Sequence, residues 1–222
     1  LSSGLNEATV ESYFGRANYN YDSKYYLSAT LRRDGNSKFP KNLRWENFWS
    51  LGAAWRLDQE SFFANEYVDL LKLRASYGQM GNSDVGIYPY QPGYSIGYNN
   101  ASASGAVVTS LGSPELTWET QKPFDIGVDF SFLRGRLSGT FDYYYRNSDG
   151  LLFSVQQPYH NGGTTSGSYS INKNVGAMTN KGIELTLTGG LIRQQDFRWD
   201  LTLNVTTVKN KITRMPEETP EI

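Results

Sequence analysis

The residues able to do chemistry are few and scattered. The single histidine, His160, sits in the Gly-rich stretch 159–163, and the chain has no cysteine. A catalytic triad or a zinc cage needs several such groups at fixed distances, so a lone imidazole in a loop carries neither. Asp125 and Asp129 come nearest to a carboxylate pair. They stand four residues apart in an extended segment, which separates them by ~13 Å, wider than the ~5–9.5 Å of glycosidase pairs. Pairing with neighbouring Arg or Lys is the expected use of both. Asp22, Asp34, Asn82 and Asp84 fit no calcium-loop pattern and read as turn formers. Asn204-Val205-Thr206 spells a glycosylation sequon but falls inside a strand pattern. No enzyme activity, metal or cofactor is therefore expected. The stronger candidates are aromatic. Tyr88, Tyr90, Tyr94 and Tyr98 lie in the longest interval between strand patterns, and Trp118 and Tyr159 flank others. Aromatic faces stack on sugar rings and pack on peptides. These six are candidate contacts for an oligosaccharide or peptide, with loop packing or partner contact as the competing use.

The elements that must position them read as strands. In the segment 124–132, Phe124, Ile126, Val128, Phe130 and Phe132 alternate with Asp125, Gly127, Asp129 and Ser131. A strand sends successive side chains to opposite faces, so this segment has one apolar face and one polar face. Seven other segments repeat the pattern, at 13–21, 25–32, 49–57, 71–77, 137–146, 183–188 and 197–206. Their polar faces carry Arg16, Arg32, Arg56, Lys72, Arg74, Asp125, Asp129, Asp142, Arg146, Glu184, Arg198 and Asp200.

The connections alternate short and long. Tight turns are predicted at 21–24 and 133–136, and another short link at 189–196. The link 58–69 is predicted to hold one helical turn, capped by Asp58, with Phe62 and Phe63 packing inward. The intervals 34–47, 80–122 and 149–181 read as long loops. Short turns on one rim and long loops on the other describe an antiparallel up-and-down transmembrane β-barrel. Tyr19, Tyr21, Tyr25 and Tyr26 near one strand end, and Tyr143, Tyr144 and Tyr145 near another, suit its interfacial aromatic belts. A β-sandwich also alternates, but with its apolar face in a core.

Composition agrees. With 38% apolar residues, no run approaches the ~20 that a membrane helix requires, which leaves barrels open. The 16 Tyr and 22 Gly suit an all-β chain with wetted faces. A net charge of −1 supplies no field for nucleic acid.

The segments Ser12-Tyr13-Phe14-Gly15-Arg16-Ala17-Asn18-Tyr19-Asn20-Tyr21 and Lys24-Tyr25-Tyr26-Leu27-Ser28-Ala29-Thr30-Leu31-Arg32-Arg33-Asp34-Gly35 resemble the SusC/RagA-type TonB-dependent transporters. So do Leu71-Lys72-Leu73-Arg74-Ala75-Ser76-Tyr77-Gly78-Gln79-Met80-Gly81-Asn82, Pro114-Glu115-Leu116-Thr117-Trp118-Glu119 and Asn180-Lys181-Gly182-Ile183-Glu184-Leu185. Trp199 and Lys209-Asn210-Lys211-Ile212-Thr213 complete the series, in family order. The resemblance implies a 22-stranded barrel in the outer membrane of a Gram-negative bacterium. It also implies an N-terminal plug, drive from the TonB complex through that N-terminal region, and a SusD-type surface lipoprotein partner. Residues 1–222 are then expected to be part of the barrel domain, an open curved sheet of about eight strands facing outer-membrane lipid. Plug, TonB box and terminal strands are expected to lie outside it. Gly15, Gly35, Gly78 and Gly81 are expected at close backbone approaches or positive φ. A non-transporting adhesin or structural barrel is the alternative, and a soluble carbohydrate-binding β-sandwich the more distant one.

Overall fold

The computed structural model describes residues 5–63, 65–98, 101–158, 160, 163–164 and 167–216. In chain order the elements are β1 (Val10–Tyr21), β2 (Tyr25–Asn36), β3 (Trp45–Arg56), two 3₁₀ turns (Leu57–Gln59 and Ser61–Phe63) and β4 (Val68–Asn82). There follow β5 (Gly93–Ile96), β6 (Ala106–Ser110), β7 (Glu119–Phe132), β8 (Leu137–Gln156), β9 (Gly163–Thr164), β10 (Gly167–Ser168), β11 (Ser170–Arg193) and β12 (Arg198–Arg214).

Eight of these form one sheet in the order β1-β2-β3-β4-β7-β8-β11-β12, every neighbouring pair antiparallel. The sheet is open, as expected, and its eight strands coincide with the eight alternating segments, of which only Leu57 and Phe197 fall outside a strand. Tight turns follow from local backbone chemistry. At the β1–β2 turn Asp22 and Ser23 take φ values of 54° and 52°, and the Lys24 amide donates to the Tyr21 carbonyl at 3.0 Å. Two successive left-handed residues match the right-handed twist of the flanking strands.

Register converts the alternation into continuous rows. Tyr21, Tyr25, Trp55, Leu73, Val128, Phe141, Leu185 and Val205 are successive partners across all eight strands. Two residues along, the row is Tyr19, Leu27, Ala53, Ala75, Ile126, Tyr143, Ile183 and Thr207. This face is not a packed core: Leu27 is 55% exposed and Leu203 52%. The nine residues from Phe124 to Phe132 match the ~9–11 that a tilted strand needs to cross a membrane. Aromatics mark both ends of the band. Tyr25 stacks on Trp55 towards the short turns, and Trp49 meets Tyr77 edge-on towards the long connections.

Several predicted loops are shorter than expected. β8 and β11 stay paired out to Gln156 and Ser170, so much of 149–181 is strand. β2 and β3 likewise shorten the second connection to 37–44, and the longest contains the β5–β6 hairpin. The link after β3 holds two 3₁₀ turns. Asp58 lies inside the first rather than capping it, and Phe62 is 71% exposed, so it does not pack inward.

Candidate functional site

The polar face and the long-connection rim hold the candidate residues. On the polar face one register row runs Asn20, Tyr26, Ala54, Arg74, Gly127, Asp142, Glu184 and Thr206. Arg74 donates through Nε to Asp129 at 2.9 Å and through Nη2 to Asp142 at 2.8 Å. Asp142 is two strands from Arg74, and the strand between them presents Gly127. A Cβ there would lie 2.1 Å from Asp142 Oδ1, so the absent side chain is what opens the route. Below this bridge a shallow concavity of about 230 Å³ is lined by Tyr26, Ser28, Arg74, Ser76, Asp125 and Asp142, among others. Asp125 has no ion-pair partner among the described residues, so only Asp129 of that pair meets a cation.

The other charged candidates are spread over the same face. Lys72 sits over the Tyr26 ring at 5.5 Å and Arg146 over the Tyr144 ring at 5.0 Å. Arg32 binds Asp34, Arg56 binds Asp58, and Arg198 binds Asp200 at 2.6 Å. Arg16 and Glu184 have no such partner among the described residues. Among those residues no three His, Cys, Asp or Glu side chains are grouped to hold a metal.

At the other rim a small core forms from separate connections. Phe39, Phe48, Val85, Leu116 and Trp118 are buried together, with Leu152 against them. Trp118 is 6% exposed, with its ring centroid 5.0 Å from that of Phe39 and 5.4 Å from that of Phe48, and its indole N–H donates to the Arg44 carbonyl. Its aromatic face is thus enclosed by protein rather than presented to solvent. Gly81 lets Phe48 in, since a Cβ there would lie 2.0 Å from that ring; Gly15 instead faces open space.

Polar staples hold this core to the strands. Asn174 accepts from the Thr117 amide at 2.9 Å and donates to the carbonyls of Thr117 and Gly150 at 2.9 and 2.8 Å. Glu119 accepts from Asn82 and from the Leu152 amide, both at 2.8 Å. Asn36, 2% exposed, donates to Ser83. Asn36 and Asn174 were invisible as site builders in the sequence, because their partners lie 47 and 57 residues away.

The four loop tyrosines divide into two pairs. Tyr88 and Tyr90 are half-buried and meet edge-on at 6.2 Å, and the Tyr88 hydroxyl donates to the Glu7 carbonyl. Tyr94 and Tyr98 are 64% and 61% exposed at the β5–β6 hairpin. Tyr169, missed by the sequence reading, is 9% exposed and donates its hydroxyl to the Val108 carbonyl, tying that hairpin to the sheet. Tyr159 lies outside the described residues.

An up-and-down sheet with one apolar and one charged face, short turns on one rim and a loop core on the other, is a transmembrane β-barrel wall. Residues 2–219 match the family described as TonB dependent receptor-like, beta-barrel, and the chain belongs to that family. It is 37% identical to TonB-dependent receptor P3 of Formosa agariphila, over 97% of this chain and 22% of that protein. It is 36% identical to TonB-dependent receptor SusC of Bacteroides thetaiotaomicron, over 93% of this chain and 21% of SusC. Among solved structures, the RagAB peptide importer in its open-open state superposes with a TM-score of 0.85 at 30% identity, covering 94% of this chain and 22% of that one. The chain thus spans about a fifth of the length of the relatives it matches.

Proposed function

We propose that this chain is barrel wall and extracellular rim of an outer-membrane importer of oligomeric nutrients, glycans or peptides, in a Gram-negative bacterium. The observation that carries the reading is the segregation of faces within one sheet. Between the ends of the apolar band the charged side chains, with the Arg74–Asp129–Asp142 bridge at their centre, share one side, while the exposed apolar rows share the other. In a barrel wall the charged side lines the lumen and the apolar side meets lipid. Resemblance to SusC, and to a structure described as a peptide importer, supports import over adhesion. The same resemblance supports a SusD-type lipoprotein over the rim and TonB acting through a plug. Of the loop tyrosines, Tyr94 and Tyr98 are the exposed pair, which supports them as contacts for substrate or that partner. The chain's own role is scaffolding and contact, with no catalytic step.

The test is complementation in cells lacking the full-length gene. Intact receptor should restore uptake of labelled oligosaccharide or peptide, while receptor lacking 93–110 should reach the outer membrane and import poorly. Full surface adhesion with no uptake from the intact receptor would replace this reading with the adhesin.

A further inference from the structure

Three lysines stand on the apolar side of the sheet, at the end of the apolar band nearer the long connections. Lys181 on β11 and Lys209 on β12 are register partners, and Lys211 lies two residues beyond Lys209 on the same side. Partner side chains across antiparallel strands start about 5 Å apart, so like charges placed there repel. Among the described residues none of the three has an ion-pair partner. Further along this side the carboxylate of Asp149 is already held by Arg214. The register partners on β8 are neutral: Tyr145 faces Lys181, and Asn147 faces Thr179. Between the strands, a shallow concavity of about 310 Å³ is lined by Tyr143, Ile183 and Thr207 together with Lys181 and Lys209. Its apolar wall points into the band, and its ammonium groups lie at the band's edge.

We infer that Lys181, Lys209 and Lys211 bind the phosphate of a phosphorylated glycolipid in the outer leaflet, with Tyr143 and Ile183 against its acyl chains. An anion at this position relieves the Lys181–Lys209 repulsion that the register imposes. It also lies where a phosphate headgroup meets its hydrocarbon, which is the level the aromatic residues mark. The inference rests on the proposed barrel orientation, with the apolar side towards lipid and the long connections outside the cell.

The experiment uses the full-length receptor, purified in uncharged detergent and examined by native mass spectrometry with added lipid A, phosphorylated or dephosphorylated. The receptor should bind the phosphorylated form in preference. The variant K181Q/K209Q/K211Q should bind it about 100-fold more weakly, because each lysine near a membrane surface strengthens anion binding several-fold. Arginine at the three positions should restore binding, and Lys41→Gln, at an exposed lysine of the β2–β3 connection several strands away, should leave it unchanged. Equal binding by wild type and the triple Gln variant, or equal binding of dephosphorylated lipid, overturns the inference. Fractionation of the wild-type receptor separates this from the functional reading. Outer-membrane receptor with unchanged lipid binding sinks the lipid site alone, whereas receptor found elsewhere sinks both.

Discussion

Arg74 reaches Asp142 over the strand that separates them, and Gly127 lies between as their common register partner. The bridge exists because that position carries no side chain. Gly127→Ala would place a Cβ 2.1 Å from Asp142 Oδ1 and 3.0 Å from Arg74 Nη2. Both atoms are ends of flexible chains and can move aside. The expected cost is about 1 kcal/mol, the scale of a partly exposed ion pair. Thermal unfolding of the full-length receptor in detergent checks this. In an Asp142→Ala background the same substitution should cost measurably less, because the bridge is already gone.

Trp118→Ala should be far more damaging. The indole is 6% exposed and packs on Phe39 and Phe48, so its removal empties the centre of the rim core. A loss of about 3–5 kcal/mol follows for a buried tryptophan. The first sign should be faster proteolytic nicking within 37–44 and 83–118, with the eight strands of the large sheet still protected.

Asp58, at the short-turn rim, gives a pH dependence. Its side chain is 2% exposed. Burial pushes its pKa up, but hydrogen bonds from Arg56, Gln59 and the Leu71 amide outweigh burial and hold it down to about 2, from an ordinary 3.8. A carboxyl depressed in the fold stabilises it above the unfolded value, and that contribution is lost as pH falls through the folded one. Asp58 therefore contributes about 2 kcal/mol above pH ~4, lost between about 4 and 2. Unfolding midpoints followed across that range should drop for wild type and stay flatter for Asp58→Asn.

Leu185 and Glu184 are neighbours on opposite faces of β11, with Leu185 opposite Phe141 and Val205. Leu185→Lys should cost ~2–4 kcal/mol if the apolar face meets the bilayer midplane. Glu184→Lys, on the charged face, should cost under ~1 kcal/mol. Unfolding from lipid vesicles compares the two; equal costs would speak against the assignment of faces.

Much of the wall was legible because lipid on one side and water on the other force a strict period of two. Leu185 beside Glu184, and Val128 beside Asp129, show it directly. The signal vanished where both faces leave the apolar band, so the ends of β8 and β11, around Leu152 and Asn174, read as loop. Asp129 was readable as a partner for a cation, but not that Arg74 would take Asp142 as well, since that depends on register across strands. For Trp118 the sequence left substrate contact and loop packing both open, because its partners Phe39 and Phe48 lie on distant segments.

The assignment of faces is tested most directly by site-specific labelling of the full-length receptor in its membrane, in a cysteine-free background. Single cysteines would replace Val128, Leu203, Ser76 and Asp125. Probes at Val128 and Leu203 should be quenched by a lipid-soluble agent and be out of reach of a water-soluble maleimide. Those at Ser76 and Asp125 should react with the maleimide and escape the lipid quencher. A water-reactive Val128 or Leu203, or shielding of both positions from both reagents as in a packed core, would contradict the barrel wall.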